Sequence, residues 1–162
     1  MPRSKIDLPS QIDFLSILDA EGDLDESLEP DIPEEILLRM HTTMLLGRRF
    51  DERLINLQRQ GRIGTFPPIT GQEASQIGAV AVLRDSDWMV PSFRETAAEI
   101  WRGRTLESVI IANNGFNEGA QIPEDSHNLP VSIPVGSQML HAVGIGFGIR
   151  YRKKDDVAMT FF

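Results

Sequence analysis

Apolar residues recur at helical spacing between positions 33 and 61, as Ile36, Leu37, Met40, Met44, Leu45, Phe50, Leu54 and Leu57. Pro33 suits the first helical position, Glu34 and Glu35 suit the positive end of the helix dipole, and Gly61 ends the pattern. The spacing predicts a helix of about 27 residues, roughly 40 Å long. Its polar side carries Arg39, Arg48, Arg49, Arg53 and Arg59, which reads as a solvated or salt-bridged face. Residues 61–71 read as a loop, because three glycines and the Pro67-Pro68 pair forbid regular structure. A second helix is predicted over 72–83, with Ala74, Ile77, Gly78, Ala81 and Val82 on one small-residue face. Trp88-Met89-Val90 reads as a short buried strand ended by Pro91. A third helix covers about 94–101 before Gly103. Thr105 N-caps a fourth that runs through Ala112.

Residues 113–135 are long and irregular, and loops of that length in a compact domain tend to be functional. A last helix over 136–151 carries Ala142, Gly144, Gly146 and Gly148. Glycine inside a helix costs up to about 1 kcal/mol against alanine, so this cluster predicts close approach by another backbone. Residues 152–156 make a charged turn, and Val157 to Phe162 reads as a buried parallel strand. The expected class is α/β, helix-rich, with a parallel sheet left incomplete at the C-terminus. The expected organisation is an acidic leader over 1–31 followed by one domain over 32–162.

Charge sharpens that division. Residues 1–31 hold nine acidic groups against Arg3 and Lys5, a net of −7 out of a total of −8, so the rest of the chain is nearly neutral. Without a basic stripe, nucleic acid is not expected as a partner. The leader reads as a solvated or loosely docked arm. No apolar run approaches a membrane span, residues 1–7 resemble no secretory signal, and there are no cysteines, so a cytoplasmic chain without disulfides is expected.

Few residues offer chemistry by pattern alone. Gly144-Ile145-Gly146-Phe147-Gly148 lies inside a helix pattern, not at a strand-to-helix turn, and so reads as packing rather than as a dinucleotide loop. His41, His127 and His141 share no metal-ligand spacing; His41 reads as a rim residue, His127 as solvated and His141 as an interface group. No catalytic residue and no metal ligand is expected within the chain. Three segments stand out. Pro91-Ser92-Phe93-Arg94-Glu95 brings a cation to a strand end and helix start, which suits a phosphate, or alternatively pairs Arg94 with Glu95 or Glu99. Gly71-Gln72-Glu73-Ala74 is a loop-to-helix junction. Ile133-Pro134-Val135-Gly136-Ser137-Gln138 is extended backbone that could read a flat heterocycle edge, or a plain strand-to-helix turn.

These segments, in this order, resemble the α subunit of the E1 component of 2-oxo acid dehydrogenase complexes, most of all the two-subunit pyruvate dehydrogenase type. The likeness runs through residues 46–53 and 56–64, Gly71-Gln72-Glu73-Ala74, residues 87–95, Gln121-Ile122-Pro123-Glu124, and residues 134–138 and 141–144. It implies the N-terminal part of a thiamine diphosphate-binding fold, with the cofactor and Mg²⁺ held between this chain and an E1 β subunit in an α2β2 heterotetramer. It implies decarboxylation of a 2-oxo acid such as pyruvate and transfer of the acyl group to a lipoyl domain of E2.

By the same resemblance, Arg94 matches an arginine that contacts the diphosphate, and Phe93 replaces a tyrosine beside the cofactor. Ile133 and Val135 match positions whose backbone touches the aminopyrimidine ring. Ser137 and Gln138 match a turn that binds potassium in some branched-chain relatives. The glutamate that activates the ring belongs to the β subunit. Two departures stand out: Phe116 and Glu118 fall where some relatives carry a histidine, and the family's Gly-Asp-Gly with its Mg²⁺ ligands lies beyond Phe162. The chain alone is therefore expected to be inactive and to bind the cofactor weakly or not at all. The alternative expectation is a non-catalytic assembly module that docks an E1 partner chain.

Overall fold

The computed structural model describes residues 15–162. The chain divides into two units, residues 1–33 and 34–162. In the described part of the first, Leu18 and Leu24 form an antiparallel bridge around a tight turn. The Asp19 carboxylate closes that turn by accepting the N–H groups of Glu21 and Asp23. The expectation about a secretory signal rests on residues 1–7, which lie outside the described residues.

The second unit begins with α1 (Glu34–Arg59), followed by α2 (Glu73–Val80), β1 (Trp88–Val90), α3 (Thr96–Trp101) and α4 (Leu106–Asn113). After a 3₁₀ turn (Asn117–Ala120) come α5 (Ser137–Tyr151) and β2 (Ala158–Thr160). The architecture is helix-rich, with a small parallel sheet in which Trp88, Met89 and Val90 pair with Ala158, Met159 and Thr160. No helix among the described residues is long and apolar enough to cross a membrane.

The apolar stripe of α1 serves two core clusters along its length. Near its start, Ile36, Met40 and Met44 pack against Ile69, Ile77, Val80, Met89, Ala97, Ala98 and Trp101. Near its end, Phe50, Leu54 and Leu57 meet Ile63, Phe66 and Val109. The arginine face is mixed in role. Arg39 donates to the Trp101 carbonyl at 2.9 Å and lies 3.8 Å over the Trp101 ring, while Arg48 forms a bidentate pair with Glu73 at 2.6 and 2.9 Å. Thr105 caps α4 as its sequence implies, accepting the Ser108 N–H at 3.1 Å.

Several expectations change. Helix α2 ends at Val80, short of 83, because the chain turns there through Leu83 N–H to Val80 carbonyl and then into a loop held by Arg84 and Asp87. Strand β2 is half-buried rather than buried, since its only strand partner among the described residues is β1. No described residue of the chain itself makes the close approach expected at the glycines of α5: a Cβ on Gly144, Gly146 or Gly148 would meet nothing within 4 Å. The tight contact lies instead in the irregular segment, where a Cβ on Gly119 would come 2.2 Å from Ala112 N and 2.4 Å from Ser108 O. That glycine lets the 3₁₀ turn sit flush on α4. His127 is half-buried rather than freely solvated, because the segment around it runs beside β1 and places its ring edge-on to Trp88 at 4.9 Å.

Candidate functional site

Strand β1 is flanked on both sides. On one side it pairs with β2, with the Trp88 N–H donating to Val157 O and the Phe161 N–H to Val90 O. On the other runs the 127–132 segment, parallel to β1 at the Met89–Asn128 bridge. There Met89 N–H donates to His127 O, Leu129 N–H to Met89 O, and Ser132 N–H to Ser92 O. Parallel strands buried side by side deliver their carboxyl ends to one edge, where ligands of open α/β sheets bind. Residues 91–94 and 133–136 leave the sheet at that edge.

Arg94 sits in the turn between β1 and α3. Its Nη1 donates to the Pro68 carbonyl at 3.2 Å, and its guanidinium carbon lies 5.2 Å from the centre of the Phe93 ring. Among the described residues this is the guanidinium's one hydrogen bond, and neither Glu95 nor Glu99 forms a salt bridge with it. The Glu95 carboxylate instead accepts the Arg94 backbone N–H at 3.2 Å, and burial pushes its pKa up. Glu99 is paired with Arg104 at 2.6 Å, yet burial still raises it. The alternative pairing of Arg94 is therefore not the observed one.

The Pro68 carbonyl is itself held in place. Asp51, buried in α1, accepts the Ile69 and Thr70 N–H groups at 2.9 and 3.2 Å and the Thr70 hydroxyl at 2.5 Å. This anchors the proline-rich loop against the helix. Glu73 does similar work from the other side, taking the Gly71 N–H at 3.0 Å while the Arg48 hydrogen bonds hold its pKa down. Gly71 and Glu73 thus clamp the end of the loop that carries Pro68.

The 132–138 segment is a closed loop. Gly136 takes the left-handed conformation, φ 89°, that lets the chain turn into α5. The buried Gln138 side chain accepts the Gly136 N–H at 2.9 Å and donates to Ser132 O at 2.6 Å. Ser137 Oγ lies 2.7 Å from Pro134 O and 3.0 Å from Ser132 Oγ. Between these ties Ile133 and Val135 present their side chains outward, 75% and 71% exposed.

The structure thus joins two of the three segments singled out by sequence, since Ser132 is bonded to Ser92 beside Phe93 and Arg94. His41 and His141 are exposed; the His141 Nδ1 lies 2.9 Å from Ser137 O. Phe116 is exposed and Glu118 lies in the 3₁₀ turn, also away from Arg94's contacts. A cleft of about 950 Å³ opens elsewhere, lined by Leu83, Asp85, Trp101 and Arg102 among others, and by none of Phe93, Arg94, Ile133 or Val135. Its arginines are already committed, Arg39 and Arg102 to carbonyls and Arg104 to Glu99, and the β1 carboxyl edge, where Arg94 keeps spare donors, is the better candidate. Two supporting residues escaped the sequence reading, Asp51 and Gln76. Each is a polar side chain on a helix's buried face, and that mismatch is the signal that could have found them.

Among the described residues, no group of three or more His, Asp or Glu side chains is placed to hold a metal ion. The chain's relatives are consistent with the resemblance above. A family model described as dehydrogenase E1 component matches residues 41–162. The pyruvate dehydrogenase E1 component subunit alpha of Staphylococcus epidermidis (strain ATCC 12228 / FDA PCI 1200) is 35% identical over 153 residues, covering 94% of this chain and 41% of the relative. The protein of the same description from Staphylococcus aureus (strain N315) is 35% identical over 156 residues, covering 96% and 42%. The chain spans about two fifths of the length of these curated relatives.

Proposed function

The chain belongs to the dehydrogenase E1 component family, and from that premise we propose that it forms one wall of a thiamine diphosphate site in a pyruvate-using 2-oxo acid dehydrogenase E1. In this reading residues 32–162 are the N-terminal part of the cofactor-binding fold, preceded by an acidic leader over 1–31. An E1 β subunit supplies the opposite wall, and a lipoyl domain of E2 takes the acyl group. When bound, thiamine diphosphate supplies the nucleophilic carbon that attacks the 2-oxo acid and holds the electrons released on decarboxylation.

One observation carries the reading: Arg94 lies at the carboxyl end of β1 with a single hydrogen bond from its guanidinium, beside a loop tied to Ser92. A guanidinium with spare donors, fixed at one end, suits a bidentate diphosphate contact. The 133–135 backbone, held in a closed loop by Gln138, offers carbonyl and amide groups to a heterocycle edge, and the outward Ile133 and Val135 supply apolar walls that exclude water. Phe93 lies against the same guanidinium. No metal ligand is proposed among the described residues, and no step is assigned to a metal here.

The test is calorimetric titration of thiamine diphosphate into the full chain assembled with an E1 β subunit. Arg94→Ala is expected to weaken affinity at least about tenfold, the worth of one or two charge-assisted hydrogen bonds. Unchanged affinity would sink the reading.

A second reading, a module that docks a partner chain without catalysis, is favoured by α5. Leu140, Val143, Phe147 and Tyr151 are exposed along one side of that helix, with Phe147 stacked on Tyr151 at 6.3 Å. Stable assembly with a β subunit, together with no cofactor binding by the assembly, would select this reading.

A further inference from the structure

Gln76 lies on the inner side of α2, 3% exposed, beside Ile77 and Val80. A buried carboxamide is costly unless its donors and its acceptor find partners. Here Nε2 donates to the Arg94 carbonyl at 2.8 Å, while Oε1 accepts the Ala97 and Ala98 N–H groups at 3.1 and 3.4 Å. Those two amides belong to the first turn of α3, whose donors have no intrahelical partners. The residue at the α3 N-cap position, Glu95, provides no side-chain cap. The cap therefore comes from a different helix, and the same planar group grips the carbonyl of Arg94. The far end of Arg94 is held separately, by Pro68.

We propose that Gln76 is the positioning residue that aims Arg94 at the cofactor diphosphate, by holding the Arg94 carbonyl and the next turn's N–H groups on one carboxamide. This rests on the function proposed for Arg94. The carboxamide presents a donor and an acceptor on one planar group, whereas an ionised carboxylate offers acceptors alone. Gln76→Glu keeps the acceptor for Ala97 and Ala98, and its charge suits a helix start. It sets an anionic oxygen against the Arg94 carbonyl, however. A residue that only started α3 would tolerate glutamate, and one that also places Arg94 would not.

The test compares the wild-type chain with Gln76→Glu, Gln76→Leu and Arg94→Ala at pH 8. In the ligand-free full chain, amide exchange is followed at Ala97 and Ala98, and the ¹H–¹⁵N resonance at Arg94 Nε. Gln76→Glu is expected to keep the exchange rates and to move the Arg94 resonance. Gln76→Leu is expected to speed exchange about tenfold, as for loss of one buried hydrogen bond, and to move the resonance too. In the assembly with an E1 β subunit, Gln76→Glu is expected to weaken thiamine diphosphate about tenfold, to leave thiamine unchanged, and to add nothing to Arg94→Ala.

An unmoved Arg94 resonance in Gln76→Glu overturns the proposal, even if Gln76→Leu fails to fold. Affinity that responds to Arg94→Ala but not to Gln76→Glu overturns the positioning role alone. Affinity indifferent to Arg94→Ala overturns the site reading, and the aim of the positioning with it.

Discussion

The carboxylate of Asp87, at the start of β1, accepts the backbone N–H of Val157 at 2.8 Å, joining residues 70 positions apart. The same carboxylate accepts the Arg84 N–H at 2.7 Å and two guanidinium contacts, while Arg84 reaches on to Asp155. One buried acid therefore sets where β2 begins relative to β1.

Asp87→Ala orphans the Arg84 and Val157 amides and should lower stability by about 2 kcal/mol, measured by urea denaturation. The Arg84 hydrogen bonds hold the Asp87 carboxyl far below its ordinary value of 3.8. A depressed acid contributes stability fully above its unfolded-state pKa and loses it as pH falls through the folded one. The gap between wild type and variant should thus be constant from neutral pH down to about 4.5 and shrink below about 4. A gap that widens in acid would contradict this.

Asp51 should matter as much to a different region. Its removal by Asp51→Ala leaves the buried Ile69 amide without a partner and frees the loop that presents Pro68. A loss of about 2–3 kcal/mol is expected, with hydrogen exchange at residues 69 and 70 accelerated more than at β1. Equal acceleration at both places would show that the loop has no independent anchor.

Two glycine substitutions should behave oppositely. Gly119→Ala drives a methyl group into α4 backbone and should cost about 1–3 kcal/mol. Gly146→Ala meets only open space in a helix interior and should stabilise the ligand-free chain by up to about 1 kcal/mol. Thermal melts of both variants check the pair. If Gly146→Ala destabilises a self-associated form that dilution removes, α5 is closely approached by another chain.

The exposed side of α5 makes a further prediction for the assembly. Leu140→Lys combined with Phe147→Glu should leave the melting temperature of the isolated chain within about 2 °C, because both side chains are already in solvent. If α5 docks an E1 β subunit, as the second reading proposes, the same pair should abolish co-purification with it, since two charges would then sit in the interface. Retained co-purification would assign the β-facing surface elsewhere.

The amino-acid sequence determined what is local. The periodicity of Ile36 to Leu57 placed α1, three apolar residues before Pro91 marked β1, and Thr105 announced the start of α4; each signal lies within a turn or two of the element it specifies. The order of motifs likewise carried the family. Tertiary structure alone decided the supports: that Gln76 bonds Arg94, that Asp51 anchors the loop bearing Pro68, and that backbone crowds Gly119 while the glycines of α5 stay open. The physical reason is range. Helix periodicity and caps act over three or four residues, whereas the partner of a buried amide or carboxylate depends on which surfaces meet, and nothing in the spacing of the chain names that surface.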